Sequence, residues 1–154
     1  MSAQDAALDE RELPWPRAAA SAAIFRGGEV LLIQRGKEGP LQGLWSFPGG
    51  RIEPGEPVRT AVLREVHEEA GVVAELAGVL DVRDVYRRDP EGRVLDQYLL
   101  AVFYGRWVSG EPVAGDDAMA ARFVALDAIH ALPMTDGAPD LVRRAAVLLE
   151  ATPR

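Results

Sequence analysis

The chain has 154 residues, 48% hydrophobic and 27% charged, with a net charge of −7, which suits one domain around one core. The acidic balance argues against a nucleic-acid groove held by bulk electrostatics, and no apolar run is long enough to cross a bilayer. Zero cysteines exclude disulfides and thiolate metal sites, and with the polar start MSAQDAALDERELPWP, which lacks a secretory pattern, they fit a cytoplasmic protein. Residues 1–16 read as a loose tail whose Pro14-Trp15-Pro16 could pin its end against the body, leaving 17–154 as a single domain. Arg17 to Phe25 reads as a strand, and Gly27-Gly28 turns the chain into a second, Glu29 to Arg35. The loop GKEGPLQG follows, then a short strand from Leu44 to Phe47 that runs into Pro48-Gly49-Gly50. A helix is expected from Pro57, a good first helical residue, to a left-handed stop at Gly71. Two further strands, Ala74 to Val85 and Val94 to Val108, are joined by a turn at Asp89-Pro90-Glu91-Gly92. Arg122 to Leu126 reads as another strand, Asp127 to Ala131 as a short helical turn, and Pro139 to Ala151 as an amphipathic closing helix. Mixed strands with two helices far apart in sequence favour an α/β fold in which a sheet is covered on both faces.

The segment GRIEPGEPVRTAVLREVHEEAGV, residues 50–72, carries the chemistry. Val58, Val62, Val66 and Ala70 recur every four residues and form an apolar stripe that can face a core. Glu65, Glu68 and Glu69 stand at i, i+3 and i+4, so their carboxylates converge on another face and repel one another. A hard, oxygen-seeking cation, Mg²⁺ or Mn²⁺, would relieve that repulsion. Arg64 sits four residues before Glu68 and could brace it by an ion pair. A solvated acidic helix face is the plainer reading of a bare EVHEE run, but such a face has no need of the spaced glycines and upstream glutamate.

With Gly50, Glu56, Arg64, Glu65, Val66, Glu68, Glu69, Gly71 and Val72 at every specified position, the segment resembles the Nudix box. The lead-in LLIQR and the run LWSFPGG look like the same family. The resemblance extends from about Arg17 to Ala151, though only the box is specific. It implies an α/β/α sandwich with a mixed β-sheet and the box as loop–helix–loop. It also implies metal-dependent hydrolysis of a nucleoside diphosphate linked to another moiety. Carried over by position, Glu68 and Glu69 would be metal ligands, Glu65 a ligand or general base, Glu56 a ligand or orienting group, and the Gly49 carbonyl a further oxygen. Arg64 would serve the catalytic machinery as their brace. Family enzymes often place an acidic ligand or base on a later loop. Gly115-Asp116-Asp117 is the candidate here, with Asp117 taken as the alternative base; a Gly-Asp turn cap is the competing reading. His67 and His130 are expected at the surface.

The substrate contacts follow from position. Arg35, at a strand end beside a Gly-rich loop, could reach phosphate, as could Arg51 after the double glycine. Trp45 and Phe47 are expected on opposite sides of their short strand, one in the core and the other free to stack on a base. Tyr86, Arg87 and Arg88 could form a lid, although a solvated hairpin tip is the plainer reading. LWSFPGGRIEPGE and the later GDDAMAARFVAL look most like ADP-ribose pyrophosphatase-like members. Many of those carry a proline downstream of the box where this chain has Arg88 and then Pro90. The alternative is a mutator-type enzyme acting on ordinary or oxidised nucleoside triphosphates, and a non-catalytic nucleotide sensor is a third reading. The implied partner is a small nucleotide, with no nucleic acid and no membrane. A homodimer paired through an apolar edge strand remains open.

Overall fold

The computed structural model describes residues 16–36, 38–39 and 41–154. The readings for the tail and for Pro14 and Trp15 lie outside the described residues. Among these residues seven strands and two helices follow one another: β1 (Arg17–Arg26), β2 (Glu29–Gln34), β3 (Trp45–Ser46), β4 (Gly49–Arg51), α1 (Val58–Ala70), β5 (Val73–Arg88), β6 (Val94–Ser109), β7 (Ala120–Ala125) and α2 (Ala138–Ala151), with a 3₁₀ turn at Ile129–Ala131 before α2. The sheet is mixed. Its main path runs β3-β2-β1-β6-β5, with β4 on β1 and β7 on β2. β1 and β6 are parallel from Arg17↔Tyr98 to Phe25↔Arg106, whereas β5 and β6 form a long antiparallel ribbon.

Alternation along the central strands splits the core into two layers. On one face Ala20, Ala22 and Ile24 of β1, Leu31 and Ile33 of β2, and Phe103 of β6 pack with Val62, Val66 and Ala70 of α1. On the other, Ala23, Phe25, Val30, Leu32, Val102 and Tyr104 pack with Leu141, Val142 and Ala145 of α2. The sheet is therefore covered on both faces, as the sequence predicts, and the four-residue stripe of α1 points inward. β1 is sealed from solvent at Ala20, Ala22 and Ala23, with β4 and β6 paired to it in the sheet.

Two local expectations are corrected. Pro57 precedes α1 with φ −63° and ψ 142°, an extended conformation. It therefore flanks the helix, and its carbonyl accepts the first helical bond from the Ala61 N–H (2.9 Å). The start of the box, Gly50-Arg51, for which the resemblance implies loop, belongs to a strand, Gly49–Arg51, paired to Ser21, Ala20 and Ala19. A Cβ on Gly49 would lie 2.4 Å from the Ala20 carbonyl, so glycine is what lets the two backbones meet. That pairing lays Gly49 and Gly50 across the sheet in front of the acidic face of α1.

Candidate functional site

α1 ends where the sequence predicts, at Gly71 with φ 67°, and its last two turns carry the acidic cluster. Glu69 is turned inward, and its Oε1 accepts the Gly49 N–H at 2.7 Å. Glu65 reaches Gly50 so closely that a Cβ there would lie 2.6 Å from the carboxyl carbon. Glu68, one turn away, stays exposed.

Arg64 binds this group together more widely than an i,i+4 brace. Its Nε and Nη2 donate to both oxygens of Glu56 at 2.7 and 2.9 Å, a bidentate fork across eight residues. Its Nη1 donates to Glu65 (2.9 Å) and to Glu68 (3.0 Å), and Nη2 also reaches the Arg51 carbonyl at 3.3 Å. The predicted brace to Glu68 is present, and Glu56 and Glu65 join it. The hydrogen bond from Arg64 holds the Glu56 carboxyl below the usual carboxylate range, and the same contact holds the guanidinium charged.

Glu65 and Glu69 have the opposite problem. Burial raises the Glu65 carboxyl above its usual range, against the opposing pull of Arg64. Burial pushes Glu69 up to about 7, and the charges of Glu65 and Asp116 add to the push, while the Gly49 N–H and the charge of Arg35 counter it. Three carboxylates, Glu56, Glu65 and Glu68, thus share one guanidinium, and Glu69 beside them has only the Gly49 N–H and the charge of Arg35. Among the described residues, no three carboxylates or imidazoles stand in the tight arrangement of a ready-made metal cage; Arg64 is what gathers them. The donor set is all oxygen, clustered and under-compensated, and it fits a hard divalent cation.

The segment between β6 and β7 closes the site. Its Val113 and Gly115 N–H groups donate to the Ala70 and Glu69 carbonyls, both at 3.0 Å, satisfying two carbonyls that a helix end leaves open. The carboxylate whose charge reaches Glu65 and Glu69 is that of Asp116, one residue before the predicted Asp117. Asp116 has φ 49°, the only positive φ outside glycine among the described residues. A Gly-Asp pair is a signal for such a turn, but not for which aspartate's charge acts on the helix carboxylates.

The predicted substrate contacts divide. Arg35, exposed at the end of β2, stands close enough to Glu69 for its charge to act there. Arg51 is exposed, with its carbonyl in the Arg64 network. Trp45 and Phe47 are not on opposite sides: residues two apart on an extended chain share a face, and both are buried in the layer beneath α2. The Trp45 ring instead receives the Arg122 guanidinium at 4.8 Å. His67 and His130 are exposed, as expected. Two hollows of about 370 and 330 Å³ lie around the β1–β2 turn and the end of α2, walled by Phe25, Arg106 and Leu149 among others. They share no residue with the carboxylate cluster, so concavity alone does not mark the chemistry.

A family model described as NUDIX domain matches residues 15–145. The ADP-ribose pyrophosphatase of Methanocaldococcus jannaschii is 38% identical over 112 residues, 73% of this chain and 63% of that protein. The CTP pyrophosphohydrolase of Escherichia coli is 37% identical over 75 residues, 49% of this chain and 53% of that protein. The chain therefore spans less than two thirds of either relative. Among solved structures, a MutT NUDIX hydrolase from Burkholderia pseudomallei superposes with TM-score 0.69 at 33% identity, over 85% of this chain and 98% of that one. The NUDIX domain of Shewanella oneidensis NrtR, solved with ADP ribose, superposes with TM-score 0.74 at 22% identity, over 94% and 95%; at that identity the likeness is one of fold. No helix among the described residues is long and apolar enough to cross a membrane.

Proposed function

This chain belongs to the Nudix family, and on that premise we propose that it is a pyrophosphohydrolase cleaving a nucleoside diphosphate linked to another moiety, with ADP-ribose or a related nucleotide sugar as substrate. One observation carries the proposal. Glu65 and Glu69 are held partly buried against Gly49 and Gly50, with Glu56 and Glu68 gathered beside them by Arg64 and the charge of Asp116 reaching them from a second loop. Such crowding is costly unless cations and an anionic substrate complete it.

Glu65, Glu68 and Glu69, with Glu56 and the Gly49 carbonyl, would hold Mg²⁺ or Mn²⁺, which when bound screens diphosphate oxygens and acidifies the attacking water. The chain's own groups do the rest. Arg64 keeps Glu56 and Glu65 in place through its fork, so the carboxylates need little rearrangement. Arg35, beside Glu69, offers a guanidinium to the substrate phosphates, and Arg51 is a second such contact. Glu65, or Asp116 in the role first given to Asp117, takes the proton of the water at a carboxylate oxygen. We also propose a cytoplasmic site of action, a reading the cysteine-free sequence supports.

A nucleoside triphosphate is the second reading, favoured by the similarity to the CTP pyrophosphohydrolase. Product analysis with Mg²⁺ or Mn²⁺ separates the two. AMP and ribose phosphate from ADP-ribose, lost in Glu69→Gln, supports the first; preferential pyrophosphate release from a triphosphate replaces it with the second. No turnover of any diphosphate or triphosphate by the wild type refutes both and leaves the sensor. We also propose that two copies meet at the ribbon of β5 and β6. The supporting observations are that β5 ends the strand order and that Val79, Val82 and Leu99 are exposed there. A monomer in sedimentation would remove that part.

A further inference from the structure

We infer that Gly36, which lies outside the box and bears no chemistry of its own, is a positioning residue for the site. Its bare Cα seats the Asp117 carbonyl at the end of β2, and this fixes Asp116 opposite Glu65 and Glu69. The inference rests on the pyrophosphohydrolase reading and deepens it.

The turn that carries Asp116 is gripped from two sides. Towards α1, the Gly115 N–H donates to the Glu69 carbonyl at 3.0 Å. A Cβ on Gly115 would lie 2.2 Å from the Glu68 carbonyl, so the turn cannot move closer to the helix. Within the turn, the Ala118 N–H donates to the Gly115 carbonyl at 3.1 Å. Towards β2, the Met119 N–H donates to the Gln34 carbonyl at 3.0 Å. Two residues on, a Cβ on Gly36 would lie 2.2 Å from the Asp117 carbonyl oxygen and 3.1 Å from its carbonyl carbon and Cβ. The two carbonyl atoms belong to the backbone of a turn already held against a helix, so they have no easy direction of retreat. The freedom left in the turn is at Asp116, whose φ of 49° is one that side-chain-bearing residues seldom adopt. A side chain at position 36 would push the Asp117 carbonyl, and Asp116 would leave the left-handed conformation in which the turn holds it beside the end of α1, where its charge acts on Glu65 and Glu69. Because Gly36 follows Arg35 directly, one short stretch of chain sets both the cation and the second-loop carboxylate that flank Glu69.

The test is a double-mutant cycle of Gly36→Ala and Asp116→Asn in the full chain, with turnover of the wild type's best diphosphate substrate and Mn²⁺ affinity without substrate as readouts. Gly36→Ala is expected to lower kcat by about tenfold to a hundredfold with KM changed less than about twofold, the signature of a displaced catalytic group. It should also weaken Mn²⁺ binding. In the Asp116→Asn background the same substitution should change neither quantity by more than about twofold, since coupled residues are non-additive. Equal losses in both backgrounds, or wild-type kcat in Gly36→Ala, overturn the inference. A silent wild type sinks the functional reading instead, so the two failures are distinct. Should Gly36→Ala not fold, hydrogen exchange on the wild type decides. Gly115, Ala118 and Met119 amides must be protected together with the last turn of α1; exchange at open-loop rates refutes the clamp.

Discussion

Glu69→Gln should stabilise the metal-free protein at neutral pH while abolishing its turnover. Burial holds the Glu69 carboxyl at about 7 against an ordinary 4.5, with Glu65 and Asp116 adding to the push. Between those values the folded chain keeps a proton that the unfolded chain has released. The folded state then binds more protons, and stability falls as pH rises through the window. At 1.36 kcal/mol per pH unit the difference reaches about 3 kcal/mol above pH 7 and vanishes below about 4.5. Glutamine keeps the shape and, through its Oε1, the 2.7 Å bond from the Gly49 N–H, but never ionises. The variant should therefore unfold about 6–12 °C above the wild type at pH 8 in chelator, at about 2–4 °C per kcal/mol for a chain of this size, and at the same temperature near pH 4.5. Thermal unfolding by circular dichroism across pH 4.5–8.5 measures this. Saturating Mn²⁺ should invert the order, because only the wild-type carboxylate gains a partner that binds the folded state. Parallel pH curves for the two proteins, or a less stable variant at pH 8 without metal, would refute the reasoning.

Other outcomes follow from single contacts. In Gly50→Ala the atoms nearest the new Cβ are those at the end of the Glu65 side chain, at 2.6 Å; that end can swing away, so the melting temperature should hardly move. Turnover, however, should fall about a hundredfold as Glu65 is displaced, and unchanged kinetics would dismiss Glu65 from the chemistry. Gly71→Ala meets nothing nearer than 3.7 Å but must hold φ 67°. It should cost about 1–2 kcal/mol in urea unfolding through backbone strain alone, with the metal response intact. Val66→Ala empties part of a fully sealed position between α1 and the sheet and should cost about 2 kcal/mol; a loss near zero would mean that α1 collapses onto the gap.

The identity of the acidic helix was legible in the residues themselves. Val62, Val66 and Ala70 repeat with the helical period, Glu65, Glu68 and Glu69 lie on another face, and Gly71 supplies the left-handed stop. All of these are relations within four residues, and local backbone geometry settles them wherever the helix packs. The strands of β1, β2, β5, β6 and β7 were legible for the same reason, with ends off by a few residues because fraying and pairing set the boundaries. Arg64 as brace to Glu68 was within reach, but its fork onto Glu56 was not, since eight residues and a turn separate them. That the charge of Asp116 reaches Glu65 and Glu69 could not be read from Gly115-Asp116-Asp117 alone, because the turn lies between Gly36 and the end of α1, three segments that meet only when the chain is folded. The common burial of Trp45 and Phe47 was present in the alternation of an extended chain, although the sequence reading placed them on opposite faces. Spacing along one element determined which groups this protein owns. The meeting of β2, β4, α1 and the loop before β7 decided which of them share a site, because charge and close contact act through space and not along the chain.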